Sequence, residues 1–339
     1  MALWSPFDMF GGAGARRLLQ SQTVRVVGGV VGGNLEATVI GLIGTLVQAR
    51  FVGPDDLGYL RQFGIVTNYV FFLHLGLWHA LQRRYPLHIG QGRRDQALAV
   101  AEICQSWNVA VALFATVIFS ALAVAALTTG NWRASLAWLV QAAAIASAFY
   151  GGYLGATYRS GHDFTTAAKS SVLGSTVGLA TLPLFPFFPY VALVLRNSLG
   201  GIVSLVYLHR LRPLRLPWRF KLREWLGLIK EGLPLFTASY GMSLGWSAVE
   251  ASLVLKCFNT RALGLYSAAL MVFELTNKIP QTITAVYAPR LTEHFGRTGS
   301  LREGLRTCWK PMIVGALGMA LFVAALTPAV QFELVLQRK

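Results

Sequence analysis

Apolar residues run along this chain in long blocks, and charged residues sit in short segments between them. Residues 109–127 and 134–158 contain no charged side chain. Each block exceeds the roughly 18 apolar residues that mark a helix able to cross a bilayer. The same pattern predicts spans at 24–48, 59–82, 104–127, 134–158, 232–255, 263–288 and 311–332. The stretch 170–208 has Arg196 as its only charge and, at about 1.5 Å per residue, is too long for one crossing. Pro183, Pro186 and Pro189 fall in its middle. An interior proline removes a backbone donor and clashes with the preceding turn, so the stretch divides into a fifth and a sixth span. The expectation is an all-α polytopic membrane protein with about nine transmembrane helices.

Composition fits a chain solvated mainly by lipid. Of 339 residues, 54% are hydrophobic and 13% charged, about half the charged share of a typical soluble domain. A net charge of +16 would point to nucleic acid in a soluble protein. Here the cations lie between apolar blocks, where they report topology, and no nucleic-acid partner is expected. With the N-terminus cytoplasmic, inside segments hold 21 of the 30 Lys and Arg, and outside segments hold seven, Arg61 among them. Arg16, Arg17 and Arg25 flank the first span, which has no short apolar core and cleavage site, so that span reads as retained. Trp132, Trp218, Trp225 and Trp309 fall near predicted interfaces, where indole rings anchor.

The longest internal connection, 209–231, begins basic and proline-broken as HRLRPLRLP and continues as RFKLREWLGLIKEG. Phe220, Trp225, Leu226 and Ile229 are spaced there among charges, as in a helix lying on the cytoplasmic leaflet. A solvated loop is the alternative. This linker divides the chain into a six-helix bundle at 1–208 and an incomplete second bundle of about three helices at 232–339. The two parts repeat. A shift of 206 residues places Leu57-Gly58 on Leu263-Gly264, Arg84 on Arg290, Gly90 on Gly296 and Arg50 on Lys256. Six helices is an even number, so the copies enter from the same side, as parallel repeats about an axis along the membrane normal.

The segment ARFVGPDDLGYLRQFG, followed by GLWHALQRRYPLHIGQG, resembles the first two helices of polysaccharide and O-antigen flippases of the multidrug/oligosaccharidyl-lipid/polysaccharide exporter superfamily. KEGLPLF, then EASLVLKCFNTRALGLYSAALMVFE and YAPRLTEHFG, resembles the start of that family's second bundle. The resemblance implies two six-helix bundles facing a central cavity, and a transporter without enzymatic activity or cofactor. It implies passage of an oligosaccharide on polyprenyl pyrophosphate across a bacterial inner membrane, for lipopolysaccharide or other surface polysaccharide. The chain departs from the pattern by ending after its ninth span, where the family continues through at least twelve. It is therefore expected to be truncated or to be completed by another subunit. Asn259-Thr260 also replaces the Gly53-Pro54 of the first copy.

Ionisable groups inside a bilayer are costly, so each is a candidate for binding or coupling. Arg196, with Gly200 and Ser204 at four-residue steps, forms a small polar stripe; its guanidinium suits a pyrophosphate, or pairs with Glu36 or Glu250. Glu36, in line with Gly28 and Gly32, is a proton or cation site or a structural hydrogen-bond acceptor. Glu250 shares a face with Ser239, Ser243 and Ser247, and an acid near this place also resembles the family's second bundle. Glu274 and Lys278 stand in the favourable order for an intrahelical pair, with Asn277 and Gln281 beside them; the pair is either self-neutralised or in contact with an anionic substrate. His74 and His79 are five residues apart, which is poor metal geometry. Asp55-Asp56 reads as a turn at Gly53-Pro54, with an aspartate capping the second span. Cys104, Cys257 and Cys308 lack metal or redox spacing. No ATP-binding motif occurs, so the expected energy source is an ion or lipid gradient or the membrane potential. A multidrug exporter of the same superfamily is the nearest rival, and a membrane-embedded glycan polymerase or ligase is the rival from another class.

Overall fold

The computed structural model describes residues 22–161, 163–238, 242–298 and Ile313. The described elements are helical: α1 Gln22–Phe51, α2 Pro54–Val70, α3 Leu77–Gly90, α4 Arg94–Thr128, α5 Trp132–Ala146, α6 Gly152–Ser160, α7 Phe164–Ala180, α8 Pro189–Arg210, α9 Leu222–Phe236, α10 Met242–Cys257 and α11 Thr260–Thr298. Short 3-10 turns cover Phe71–His74 and Leu182–Leu184, and a π turn at Ser147–Gly151 joins α5 to α6. Among the described residues, four segments are long and apolar enough to cross a bilayer: Pro54–Gly90, Arg94–Thr128, Trp132–Ser160 and Pro189–Arg210. The ninth predicted span, apart from Ile313, lies outside the described residues.

Side-chain size sorts inside from outside more clearly than polarity does. Along α4 the buried apolar positions include Ala101, Ala112, Ala115 and Ala123, while Phe114 and Val117 are each 67% exposed. Small residues let helices approach, and large ones are left for lipid. The division of 170–208 follows the prolines as expected. Helix α7 ends at Ala180, Pro183 sits in the 3-10 turn, and Pro189 opens α8 in its first turn, where its missing N–H costs nothing.

The linker differs from the expectation. Its amphipathic helix does not stop at residue 231 but continues to Phe236. Gly232 and Phe236 prolong the inward stripe begun by Trp225 and Leu228, so the helix has reason to continue. The seventh predicted span, 232–255, therefore takes in the end of α9 as well as α10. The eighth runs ten residues beyond its predicted end at 288, to Thr298.

The second span is also not one helix. It starts at Pro54 and breaks at Leu75 and Gly76, whose φ angles are 50° and 76°. Left-handed backbone costs a non-glycine residue about 1–2 kcal/mol, and peptide groups freed in a membrane need partners. Neighbours supply them. Trp107 Nε1 donates to the Leu73 carbonyl at 2.9 Å, and Cys104 Sγ donates to Leu77 O at 3.6 Å. Gly76 N and Trp78 N lie 3.2 and 3.1 Å from the two ring nitrogens of buried His74. Among the described residues no metal-binding cluster is found, and His74 serves the break.

The second span packs along α11, its mate in the sequence repeat, and the contacts are reciprocal. A Cβ on Gly58 would strike the carbonyl of Thr260; one on Gly264 would strike that of Pro54. At the other end, a Cβ on Gly90 would strike Glu293 O and one on Gly296 would meet Leu87 O. Thr260 is the repeat mate of Pro54, and Glu293 that of Leu87, at the same 206-residue shift. Residue i meeting j while the mate of i meets the mate of j is what a two-fold axis produces. The repeat seen in a few identities is thus expressed as a pseudo-two-fold seam between α2–α3 and α11.

Candidate functional site

A cavity of about 510 Å³ opens between α1, α2, α5, α8 and α11. Its wall carries Thr45, Gln48, Arg61, Thr67, Asn68, Gln141, Arg196, Asn197 and Ser267 among apolar residues such as Leu57, Leu60, Val140 and Met271. Two of these side chains are cationic, and no carboxylate occurs among its described lining residues.

Arg196 reaches from α8 to α1. Its Nη1 donates to Gln48 Oε1 at 2.7 Å and to the Gly44 carbonyl; its Nη2 donates to Gly41 O at 3.1 Å and Thr45 Oγ1 at 3.2 Å. Glycine at position 44 makes this possible, since a Cβ there would stand 2.6 Å from Nη2. All four acceptors are uncharged. They satisfy the geometry of the guanidinium and leave its charge uncompensated, which in a low-dielectric site favours an anion nearby. Gly200 and Ser204, expected to extend the polar face of Arg196, instead close the seam with α7. Ser204 Oγ donates to Ser170 O at 2.7 Å, and a Cβ on Gly200 would approach Gly174 O at 2.7 Å.

Arg61 lies on α2, within the cavity wall, and its buried Nε has no hydrogen-bond partner. In the sequence it counts with the external cations, because a second span starting at Tyr59 leaves Arg61 at its outer end. The helix begins five residues earlier, with Gly53 as its N-cap and Pro54 in its first turn. The expected aspartate cap is not formed. Asp55 and Asp56 occupy the first turn, where negative charge suits the helix dipole, and Asp56 pairs with Arg133. The signal for Arg61 was present in the sequence: Arg61, Gly64 and Asn68 recur at helical spacing on one face. Thr67 Oγ1 donates to Gln141 Oε1 at 2.7 Å, so that the Gln141 amide nitrogen remains a donor.

Residues 47–334 match the family described as polysaccharide biosynthesis protein. The chain belongs to that family. Its fold aligns with the MATE multidrug transporter DinF-BH at a TM-score of 0.72 and 16% identity, covering 95% of this chain and 76% of that one. A MOP superfamily transporter from Pyrococcus furiosus, described for the reverse polarity of its binding pocket, aligns at 0.60 and 17%, covering 91% and 73%. An outward-facing multidrug resistance MATE family transporter of the MOP superfamily aligns at 0.61 and 15%, covering 93% and 75%. At these identities the likeness is one of fold. No curated protein matches by sequence. This polysaccharide biosynthesis protein is thus a multi-pass membrane protein with the architecture of MOP superfamily transporters, as the flippase resemblance implied.

Of the candidate residues expected in the family's cavity, Arg196 lines it. Glu250 does not; it accepts a 2.6 Å hydrogen bond from Tyr266 OH. Glu36 is exposed on α1, so neither acid pairs with Arg196, which resolves that alternative in favour of neutral partners. Glu274, Asn277 and Lys278 follow Met271 along α11, and their side chains lie outside the described residues. Helix α10 contributes none of the described lining residues. Cys104 is buried and Cys257 exposed, both as free thiols, and Cys308 lies outside the described residues.

Proposed function

We propose that this protein carries an oligosaccharide linked to polyprenyl pyrophosphate from the inner to the outer leaflet of a bacterial inner membrane, for assembly of surface polysaccharide such as O-antigen. The observation that carries this reading is the charge of the cavity: two guanidiniums and no carboxylate among its described lining residues. Like charges in one cavity repel each other, and a bound anion relieves that repulsion. Arg61, on the cavity wall with its Nε unpaired, binds the pyrophosphate through a guanidinium whose bidentate geometry matches phosphate oxygens. Arg196, fixed on α1, supplies long-range attraction and keeps α1 against α8. Gln141, Asn68 and Asn197 are suited to glycan hydroxyls. The volume lies within the roughly 300–1,000 Å³ of small-molecule sites, enough for a headgroup while the lipid tail stays in the bilayer.

In this reading the N-terminus is cytoplasmic, residues 1–208 and 232–339 form the two bundles, and these rock about the glycine seam. Lys278 and Asn277 extend the binding wall, with Glu274 neutralising Lys278 when the substrate is absent. Any coupling cation or proton is taken by Glu36 or Glu250; undiminished transport by a Glu36→Gln, Glu250→Gln double variant would exclude that role. A multidrug exporter of organic cations is disfavoured by the same charge balance, because cations call for acids on the wall.

The test is complementation of a strain lacking its flippase. The chain should restore surface glycan and clear lipid-linked glycan from the inner leaflet. Persistent accumulation with the protein present in the membrane would overturn the proposal.

A further inference from the structure

The linker that joins the two copies presents an outward surface that transport of a glycan does not use. Residues 212–221 lie outside any helix and are pinned to α4. Gln105 Nε2 donates to Leu216 O at 3.0 Å, Arg219 N donates to Ser106 Oγ at 3.0 Å, and Arg219 Nη1 lies 3.6 Å from Glu102 Oε2. Side chains alternate along an extended segment. Burial alternates from Arg212 to Pro217, so that Leu214 and Leu216 pack on the core beneath and Arg215 is exposed; at Trp218 the alternation ends, and that side chain is 63% exposed.

Helix α9 continues this surface. Its inward stripe is Trp225, Leu228, Gly232 and Phe236. Immediately beside that stripe, at helical spacing, Leu222, Leu226 and Leu233 form a second apolar edge that is left exposed. Arg223 and Lys230 follow on the next face round the helix, and both are exposed. An exposed leucine edge flanked by cations is the arrangement of a helix at a bilayer interface, with stems in the acyl boundary and charges among the headgroups. The charge count shows which headgroups. Glu224 is paired with Lys221, Glu231 with Arg84 and Glu102 with Arg219. Arg215, Arg223 and Lys230 form no ion pair among the described residues, and all three are exposed.

We propose that this linker surface, Arg215 and Trp218 with the Leu222–Leu226–Leu233 edge, Arg223 and Lys230 of α9, is a recognition site for anionic phospholipid headgroups in the leaflet it faces. The proposal goes beyond the flippase reading and requires only that the chain spans a membrane, so either can fail alone.

The test uses the full purified chain in detergent, with bound phospholipids counted by native mass spectrometry. Phosphatidylglycerol, phosphatidylcholine and inorganic phosphate are the probes. Each cation near an anionic surface contributes about fivefold to binding. The triple variant Arg215→Gln, Arg223→Gln, Lys230→Gln should therefore lose roughly tenfold or more of the preference for phosphatidylglycerol, with phosphatidylcholine retention and melting temperature unchanged. Exchanging the same three cations for the other basic residue (Arg215→Lys, Arg223→Lys, Lys230→Arg) should keep the preference. Equal retention of the two lipids by the wild type, an unaltered preference in the glutamine variant, or displacement of phosphatidylglycerol by millimolar inorganic phosphate would each overturn the proposal.

Discussion

The second span and α11 are repeat mates of nearly equal length, 54–90 and 260–298, and they pack against each other. At both ends they match. Gly58 faces Gly264, Gly90 faces Gly296, and each contact has its counterpart across the seam. In the middle they differ: the second span breaks at Leu75–Gly76, whereas α11 is helical from Thr260 to Thr298, through Pro280. The ends are where one copy's backbone rests on the other's, so neither glycine of a pair can change without separating the helices. The middle of the second span faces partners outside the pair. Trp107 and Cys104 come from α4, and Gly232 comes from α9 and meets Gly76. The symmetric ends are a property of the pair, and the break is a property of the first copy's own surroundings.

The strongest challenge to that comparison is a larger residue at the seam. Gly58→Val and Gly264→Val should each cost about 3 kcal/mol or more, since the clash is with backbone that no rotamer can relieve. Both should lower folded yield in detergent to a similar extent, and tolerance of one but not the other would break the symmetry. Next is Gly76→Ala, which places a Cβ at positive φ against the Gly232 peptide. It should destabilise by roughly 2–3 kcal/mol, combining backbone strain with overpacking, seen as a lower melting temperature. Trp107→Phe keeps the ring and removes the donor to Leu73 O. It should cost about 1 kcal/mol, and an unchanged melting temperature would show that the break does not depend on α4.

The smallest effect concerns α9, docked beside the break through Arg84 and Glu231. The Arg84 guanidinium hydrogen-bonded to Glu231 holds its carboxyl below its ordinary value of 4.5. A depressed carboxylate stabilises the fold above its unfolded pKa and loses that contribution as pH falls through the folded pKa. The stability gap between wild type and Glu231→Gln should thus be constant at neutral pH and close only below about pH 4.5. The pair is partly exposed, so the gap should be a fraction of a kcal/mol. A gap that closed at pH 6 would point to another group.

The sequence was most informative where one physical effect dominated. Apolar blocks marked the spans, and the prolines near 183–189 marked a reversal, because lipid and proline each leave the backbone little choice. The repeat was legible because its glycines are held by backbone contact. Positions set by neighbours distant in sequence were not legible. The break at Gly76 depends on α4 and α9, and the continuation of α9 past 231 depends on the core beneath it. Arg196 was legible as a candidate and does line the cavity, but its partners were not: charge pairing suggested Glu36 or Glu250, and the fold supplies α1 carbonyls at Gly41 and Gly44 with the side chains of Thr45 and Gln48. Arg61 was missed because a helix start set five residues late left it at the outer end of the span, among the external cations, instead of two turns inside the helix.

The most direct test is translocation of a polyprenyl-pyrophosphate-linked disaccharide in proteoliposomes, with wild type and Arg61→Gln reconstituted at equal density. Wild type should transfer the lipid well above the rate of protein-free vesicles. The variant should lose roughly tenfold or more of that rate, the penalty for removing a charged hydrogen-bonding partner. Transfer no faster than in empty vesicles, or equal rates for the two proteins, would contradict the flippase reading.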